Sequence, residues 1–280
     1  MAFVTAYKLH SDSSVSKFER FIMKKNLFAA ALCSLSMLVS GAASAVVVGG
    51  VDFGNILVGS HIETSTLAET LISGNGQTLM GYGQVNTVNG SSTYAAGGQS
   101  LYFTFTNYIS TGFTGASTGF TGGLINIYLG TLPNLLSQNS FTNMAQIATL
   151  TPFAQLVGHG INGTTSTLNA NGSLTGAAVN FSGVGLLDAS AGFGSADVYN
   201  FFNSNTIADG GGSFTDVSLT SSGNNIVLNS NDTCTGQAGQ FCIAGTANLR
   251  GTTVPEPDVL ALIGLGLLGM GASLRKRKSA

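Results

Sequence analysis

The chain has 280 residues, of which 39 are glycine and only 8% are charged, whereas an ordinary globular chain is about 25% charged. Between positions 46 and 254 Arg250 is the one lysine or arginine, and eight acidic residues give this middle a net charge of −7. A middle so poor in basic residues cannot neutralise a phosphate backbone, which excludes nucleic acid as a partner. The hydrophobic content of 44% excludes disorder driven by charge.

The N-terminal region predicts a secretory signal peptide over residues 23–45. Two lysines precede an apolar run and the small residues Ala43-Ser44-Ala45, which places signal cleavage after Ala45. Residues 1–22 are mixed polar and charged, so we expect them to be an extension ahead of the true start. The alternative is an N-terminal membrane anchor, which the short apolar run disfavours. We therefore expect the general secretion machinery to export the body.

Residues 46–253 predict one exported all-β domain. In Leu101–Ile109, alternation places Leu101, Phe103 and Phe105 on one face of a strand. Asn-Gly turns of the tight-hairpin type separate such segments, which favours an antiparallel β-sandwich or a partly open barrel with Gly-rich loops. A helix is expected around Phe141–Ala148. Further strands are predicted at Val46–Val51, Asn55–Val58, Leu124–Leu129, Ala177–Phe181, Val198–Phe202, Phe214–Leu219, Asn225–Leu228 and Cys242–Leu249.

A short duplication lies between two of these strands. Ser110–Gly115 is repeated seven residues later as Ser117–Gly122, which is far shorter than the period of a solenoid. We interpret the two copies as a long mobile loop. The alternative is a binding loop that exposes Phe113 and Phe120.

Two cysteines remain in the body once the signal peptide is removed. Cys234 and Cys242 should pair in an oxidising compartment, and closing so short a loop stabilises by about 2.5 kcal/mol. A metal site would need more ligands than the neighbouring Asp232. The spacing therefore favours a disulfide.

Patterns typical of catalytic or cofactor sites are incomplete. Gly158–Gly163 fits a dinucleotide loop without its strand, helix and acid, and Gly115–Gly119 fits a nucleophile elbow without its helix. His61 and Glu63 share a strand face, which predicts a surface pair or the start of a metal or acid–base site. We predict that the protein is not an enzyme, with no catalytic residue, metal or cofactor, although one alternative is a structural calcium ion. Its candidate ligands are Asn203, Asn205, Asp209, Asn229, Asn231 and Asp232.

The C-terminal region has three parts in a fixed order. A short motif (Val254, Pro255, Glu256, Pro257) precedes the apolar segment 259–274, and a basic tail follows (Arg275, Lys276, Arg277, Lys278). The segment predicts a transmembrane helix of about 24 Å, and the basic tail predicts that its end stays cytoplasmic.

Residues 254–280 resemble the PEP-CTERM sorting signal of Gram-negative bacteria, in which the same three parts occur in this order. The resemblance implies processing by an exosortase near the motif, transient anchoring in the inner membrane, and later placement at the cell surface or in the extracellular matrix. It also implies an association with exopolysaccharide, biofilm and floc formation.

The body resembles the flocculation-associated PEP-CTERM proteins over Gly59–Leu79, Gly81–Asn86 and Leu101–Phe105. That resemblance implies a structural or adhesive matrix component that contacts exopolysaccharide or other matrix components. The alternative is a secreted carbohydrate-binding, lectin-like domain or a glycosidase. In that case exposed aromatic side chains would stack on sugar rings, the candidates being Tyr82, Tyr94, Tyr108, Phe113 and Phe120.

Overall fold

The computed structural model describes residues 45–54, 60–175 and 178–252, together with Leu267. Between residues 45 and 252 these form mainly antiparallel strands, which confirms the predicted all-β class. The predicted transmembrane helix at 259–274 lies outside the described residues, apart from Leu267. In the described part of the chain, no helix combines the length and the apolar character needed to span a membrane.

Thirteen strands and two α-helices make up the described body. The helices are α1 (Ser140–Ile147), where a helix is predicted, and α2 (Ala196–Phe202). The strands are β1 (Val47–Val48), β2 (Val51–Asp52), β3 (Ser60–Thr70), β4 (Thr78–Val88), β5 (Ser100–Thr111), β6 (Ser117–Gly130), β7 (Thr151–His159), β8 (Ser166–Ser173), β9 (Asn180–Ala189), β10 (Ile207–Ala208), β11 (Phe214–Thr215), β12 (Val217–Asn224) and β13 (Phe241–Gly251).

The main sheet closes on itself as an antiparallel barrel. Going round the ring, β3, β4, β5 and β6 pair in order, β9, β12 and β13 follow, and β13 returns to β3. Strands β7 and β8 share one position, because both pair with β6 at different heights and both then pair with β9. The ring thus has eight positions. Of the two predicted architectures it is the barrel, and the ring is closed rather than partly open, because β13 pairs with β3.

Alternation along β3, β4, β5 and β6 divides their buried side chains between two clusters. On β5, Leu101, Phe103 and Phe105 point into the barrel, as predicted, while Tyr102 belongs to a second cluster outside it. Helix α1 covers this outer cluster through Ile147 and packs on β4 and β5. The barrel wall is therefore buried on both faces beneath α1.

One end of the barrel, which we call the plugged end, is filled by the β1–β2 hairpin and α2. Phe53 is fully buried there, with its ring 4.4 Å from Phe201 and 5.9 Å from Phe202, measured between centroids. The predicted strand at Val198–Phe202 is wrong, because this segment is α2. Ser195 caps the helix by accepting the Val198 amide, and helical spacing buries Val198 and Phe202 together.

Three further predictions need correction. Val46–Val51 is not one strand, because a turn at Gly49 and Gly50 divides it into β1 and β2. The duplicated segments are not a long mobile loop, because Ser110 and Thr111 pair with Phe120 and Gly119 across the β5–β6 hairpin. Only residues 112–116 form the turn between the two strands. The second repeat, Ser117–Gly122, belongs to β6, and its Phe120 is buried inside the barrel. Asn225–Leu228 is not a strand, because the pairing of β12 with β9 and β13 ends at Asn224, and Ile226 and Val227 beyond it are exposed.

Candidate functional site

The other end of the barrel, which we call the hollow end, is formed by the turns 71–77, 112–116 and 174–179 and the segment 225–240. Beneath these turns lies a cavity of about 80 Å³ inside the barrel. Its walls are mostly apolar, with Phe103, Ile125 and Ala247 at its inner limit, and Phe113 lies at the turn side. Cavities larger than a water molecule are few in a packed domain, so this one marks a candidate site.

Glu69 of β3 projects into the cavity and is only 4% exposed. Among the described residues its Oε1 atom has no hydrogen-bond partner, and burial raises the pKa of Glu69 to about 8. Gly223 of β12 makes room for the carboxyl group, because a Cβ there would lie 2.8 Å from Oε1. The carboxyl group is therefore mostly protonated at neutral pH.

Tyr108 of β5 lines the same cavity and is only 1% exposed. Its hydroxyl has no hydrogen-bond partner in the part of the chain that the structure describes, and burial raises the pKa of Tyr108. A Cβ at Gly123, where φ is +99°, would overlap the Tyr108 ring, so glycine is needed there to admit it. The hollow end therefore holds two unpaired polar groups in an apolar cavity.

A second cluster joins β7, β9 and the segment 203–216. His159 Nδ1 lies 2.7 Å from Asp188 Oδ2, and His159 Nε2 lies 3.6 Å from Asp209 Oδ2. Desolvation lowers the pKa of His159, but the hydrogen bond and charge of Asp188, followed by Asp209, outweigh it, so that the pKa is raised overall. For Asp209, desolvation raises the pKa, whereas the amides of Gly211 and Ser213 and then His159 lower it overall.

This cluster connects two loops rather than presenting a reactive group. Each ring nitrogen of His159 faces a carboxylate, so neither is directed at a hydroxyl or thiol that it could activate. The Asn162 amide donates to the Asp209 carbonyl, and Gly211 packs against Gly163, with no space for a Cβ. The arrangement holds the loop after β7 against the segment 203–216.

The residues predicted as calcium ligands serve other contacts. The Asp232 carboxylate accepts hydrogen bonds from the Ser140 amide and hydroxyl at the start of α1, and the Asn229 amide donates to the Leu135 carbonyl. Within residues 45–54, 60–175 and 178–252, no group of three or more His, Cys, Asp or Glu side chains is placed to hold a metal ion.

The aromatic residues predicted to stack on sugars lie in the interior. Tyr82, Tyr94, Tyr108 and Phe120 are buried, and Phe113 is half-buried beside the cavity. Tyr94, Tyr108 and Phe120 belong to the core cluster inside the barrel, and α1 covers Tyr82 in the outer cluster. The five side chains therefore do not form an exposed aromatic platform.

Cys234 and Cys242 form a disulfide, with Cα atoms 5.3 Å apart. The enclosed loop bonds to the turn after β3, because Leu71 donates its amide to the Gln240 carbonyl and accepts from the Gly239 amide. The disulfide thus braces the hollow end. Of the predicted cleavage residues, Ala45 is exposed and Ala43 lies outside the described residues, as do the sorting motif (Val254, Pro255, Glu256, Pro257) and the basic tail (Arg275, Lys276, Arg277, Lys278).

Sequence reasoning missed both clusters. Glu69 lies two positions after the inward-facing Leu67 on β3, so it faces the same side of the strand. This alternation would have placed its carboxyl group inside the barrel. Tyr108 faces inward only because a bulge after Phe105, with Asn107 at φ +62°, shifts the alternation. Asp209 meets His159 through loop packing, for which the sequence has no local pattern.

Comparison with known proteins identifies the C-terminal region. Residues 253–278 match the PEP-CTERM protein-sorting motif, which confirms the resemblance of this segment. No curated protein and no solved structure matches the chain. The motif marks a PEP-CTERM protein, exported and sorted at the membrane by an exosortase.

Proposed function

We propose that this exosortase-processed protein is a structural or adhesive component of the extracellular matrix, acting in exopolysaccharide-dependent flocculation or biofilm formation. The sorting motif at residues 253–278 is the observation that carries the proposal, since it implies that the body is exported and sorted at the membrane by an exosortase. The resemblance of the body to flocculation-associated proteins supplies the finer role. Its destination is the surface or matrix of a Gram-negative bacterium.

The outer face of β8, β9, β12 and β13 supports contact with a neutral polysaccharide. Thr220 and Ser222 of β12 project outward, and the Ser222 hydroxyl lies 3.0 Å from the Thr246 hydroxyl of β13. Ser182 and Asn171 continue the same row on β9 and β8. Hydroxyl and amide groups offer both donors and acceptors to sugar hydroxyls without a charge to desolvate. We name these residues the polar face.

We propose further that the body is not an enzyme. The one histidine whose side chain is described in the body, His159, has both ring nitrogens directed at carboxylates. Glu69, a buried acid, lies in the barrel interior, where a polysaccharide chain would not fit. Binding and scaffolding need neither a nucleophile nor a base.

The decisive experiment is deletion of the gene, scored for floc and biofilm formation, with complementation by three forms. The full chain should restore aggregation, whereas a form lacking Pro255–Ala280 should fold but fail to be retained at the surface. The third form carries Thr220→Glu and Ser222→Glu on the polar face, and should reach the surface but restore aggregation poorly. Its matched control is Ser92→Glu with Gln99→Glu, two exposed positions away from that face.

Two results would contradict the proposal. Normal aggregation in the deletion strain would exclude a role in flocculation or biofilm formation. Release of reducing ends from the native exopolysaccharide by the exported protein would instead indicate a glycosidase. Full rescue by the polar-face variant would exclude that face as the contact while leaving the sorting argument intact.

A further inference from the structure

The chain leaves the barrel beside the β10–β11 hairpin. Gly251, the last residue of β13, is paired on both sides, with Ser60 of β3 and Val217 of β12. The next residue, Thr252, is exposed, and its hydroxyl group contacts that of Thr206, which directly precedes β10. The exit of the chain from the barrel is therefore fixed next to this hairpin.

The sorting motif begins close to this exit. Two residues, Thr252 and Thr253, separate Gly251 from Val254, with which the short motif begins. Three steps of a fully extended chain span about 10 Å. Because β13 is paired with both of its neighbours up to Gly251, it cannot move outward without opening the barrel. An exosortase that holds the motif therefore has the surface beside Thr252 within about 10 Å of it.

An aromatic side chain is held exposed on the same surface. Phe214 of β11 lies opposite Ala208 of β10, two residues along from Thr206, and is 55% exposed. The hairpin is anchored on both sides of this ring. The Asp209 carboxylate accepts hydrogen bonds from two backbone amides of the hairpin, and the buried Thr215 hydroxyl donates to a carbonyl of β9, 2.6 Å away. Aromatic residues are enriched in protein–protein interfaces, so Phe214 suits contact with another protein.

We propose that the exosortase binds the body as well as the motif, at an exit face formed by Thr206, Ala208, Phe214 and Thr252. All four side chains are exposed, and Phe214 supplies the main apolar contact. The short tether makes this contact intramolecular once the motif is held, so a weak contact still contributes to processing. The net charge of −7 between positions 46 and 254 favours a protein partner over an anionic lipid surface, which would repel the body.

The rate at which the full-length protein is processed in cells that contain the exosortase tests the proposal. We expect Phe214→Glu to slow conversion of the exported chain to its shorter form about fivefold to tenfold, because a charge replaces an apolar contact. The matched control is Ile226→Glu, since Ile226 is 57% exposed on the segment 225–240 at the hollow end, and it should be processed at the unmodified rate. Unchanged processing of Phe214→Glu, or equal slowing by both variants, would overturn the proposal.

A flexible linker inserted between Thr252 and Thr253 tests the role of the tether. Twenty Gly and Ser residues extend the connection by about 25 Å on average, which lowers the effective concentration of the exit face at the enzyme. Processing should slow about fivefold, and adding Phe214→Glu should slow it by less than about twofold more. Faster processing with the linker would show that the barrel obstructs the enzyme and would overturn the proposal. So would a full loss from Phe214→Glu that persists in the linker form.

Photocrosslinking identifies what occupies the exit face. With p-benzoylphenylalanine in place of Phe214, irradiation of cells that process the full-length chain should give an adduct with the exosortase. The same replacement at Ile226 should give none. This readout keeps the proposal testable if Phe214→Glu does not fold. An adduct at position 214 with lipid or with a second copy alone would identify a different occupant, and that result or the absence of an adduct would overturn the proposal.

Discussion

The two ends of the barrel are closed in different ways. At the plugged end, a hairpin and helix α2 bring Phe53, Phe201 and Phe202 into ring-to-ring contact, and Phe53 is fully buried. At the hollow end only turns and the disulfide loop cover the interior, and a cavity of about 80 Å³ remains around Glu69 and Tyr108. The same ring of strands thus ends in a completed core on one side and, on the other, in a mostly apolar cavity that holds two polar groups.

The two ends differ because different kinds of side chain point into the barrel at each of them. Aromatic side chains without polar atoms can fill a barrel end completely, because nothing in their surroundings needs a hydrogen-bond partner. An inward carboxyl or hydroxyl group requires either a partner or space for one. Gly223 and Gly123 leave that space beside Glu69 and Tyr108.

The largest expected effect is the pH dependence that Glu69 imposes on stability. Because burial raises its pKa from 4.5 to about 8, the folded state binds the proton more tightly than the unfolded chain. The resulting stability is complete below pH 4.5 and is lost as pH rises through about 8. That shift corresponds to at most about 5 kcal/mol. Urea unfolding from pH 5 to pH 9 should show the decline in the unmodified protein and a flatter profile in Glu69→Gln.

Glu63→Gln is the control for this measurement, since Glu63 lies on β3 outside the cavity and accepts a hydrogen bond from Thr87. It should keep the decline with pH. If Glu69→Gln and the unmodified protein declined equally, the polar character of the hollow end would be refuted.

Truncating one aromatic residue at each end tests the comparison directly. Phe53→Ala should reduce the free energy of unfolding by about 4 kcal/mol, because it leaves a cavity in a packed core. Phe113→Ala should reduce it by less than about 1.5 kcal/mol, because the half-buried ring borders an existing cavity. Chemical unfolding at pH 5 measures both. Equal losses would mean that the two ends are packed alike.

The disulfide should stabilise the hollow end by a smaller amount. Replacing Cys234 and Cys242 together by alanine should lower the free energy of unfolding by about 2.5 kcal/mol, the loop-closure value for so short a loop. Amide exchange should increase at Leu71 and Gly239, which are hydrogen-bonded between the two segments. A free-thiol assay that finds two reactive thiols in the exported protein would contradict the pairing itself.

The smallest expected effect concerns the segment 203–216, which follows α2. Because the pKa of His159 is raised in the folded state, its contribution to the stability of this segment is complete below pH 6.5. That contribution is lost as pH rises through the raised pKa. Because the pKa of Asp209 is lowered in the folded state, its contribution to the stability of the segment is complete above pH 3.8. That contribution is lost as pH falls through the lowered pKa. Hydrogen-exchange protection of the Gly211 and Ser213 amides should therefore be greatest between these limits.

His159→Gln should remove the high-pH part of this profile and leave the low-pH part in place. An unchanged profile in that variant would assign the protection to the loop backbone alone.

The sequence predicted what depends on local pattern. Leu101, Phe103 and Phe105 alternate, so their strand and its inward face could be predicted, and the three-part C-terminal segment identified the sorting motif. Val198–Phe202 is predicted as a strand because its valine and aromatic residues favour strands, whereas capping by Ser195 and burial against the barrel determine a helix.

The candidate sites depend on long-range packing. Closure of the ring by β13 on β3 brings Glu69 level with Gly223 and Ile243, which no local pattern predicts. His159 and Asp209 are fifty positions apart and meet because two loops pack together. Alternation in the sequence could predict that Glu69 faces the inside of the barrel, but it could not predict the cavity around the side chain.

The most direct test of a polar, buried hollow end is the titration of Glu69 itself. The chemical shift of its side-chain carboxyl carbon, followed by NMR and assigned with Glu69→Gln, reports the protonation of that one group. The structure predicts a midpoint of about 8. A midpoint near 4.5, the ordinary value, would show that the carboxyl group is solvated and would contradict the account.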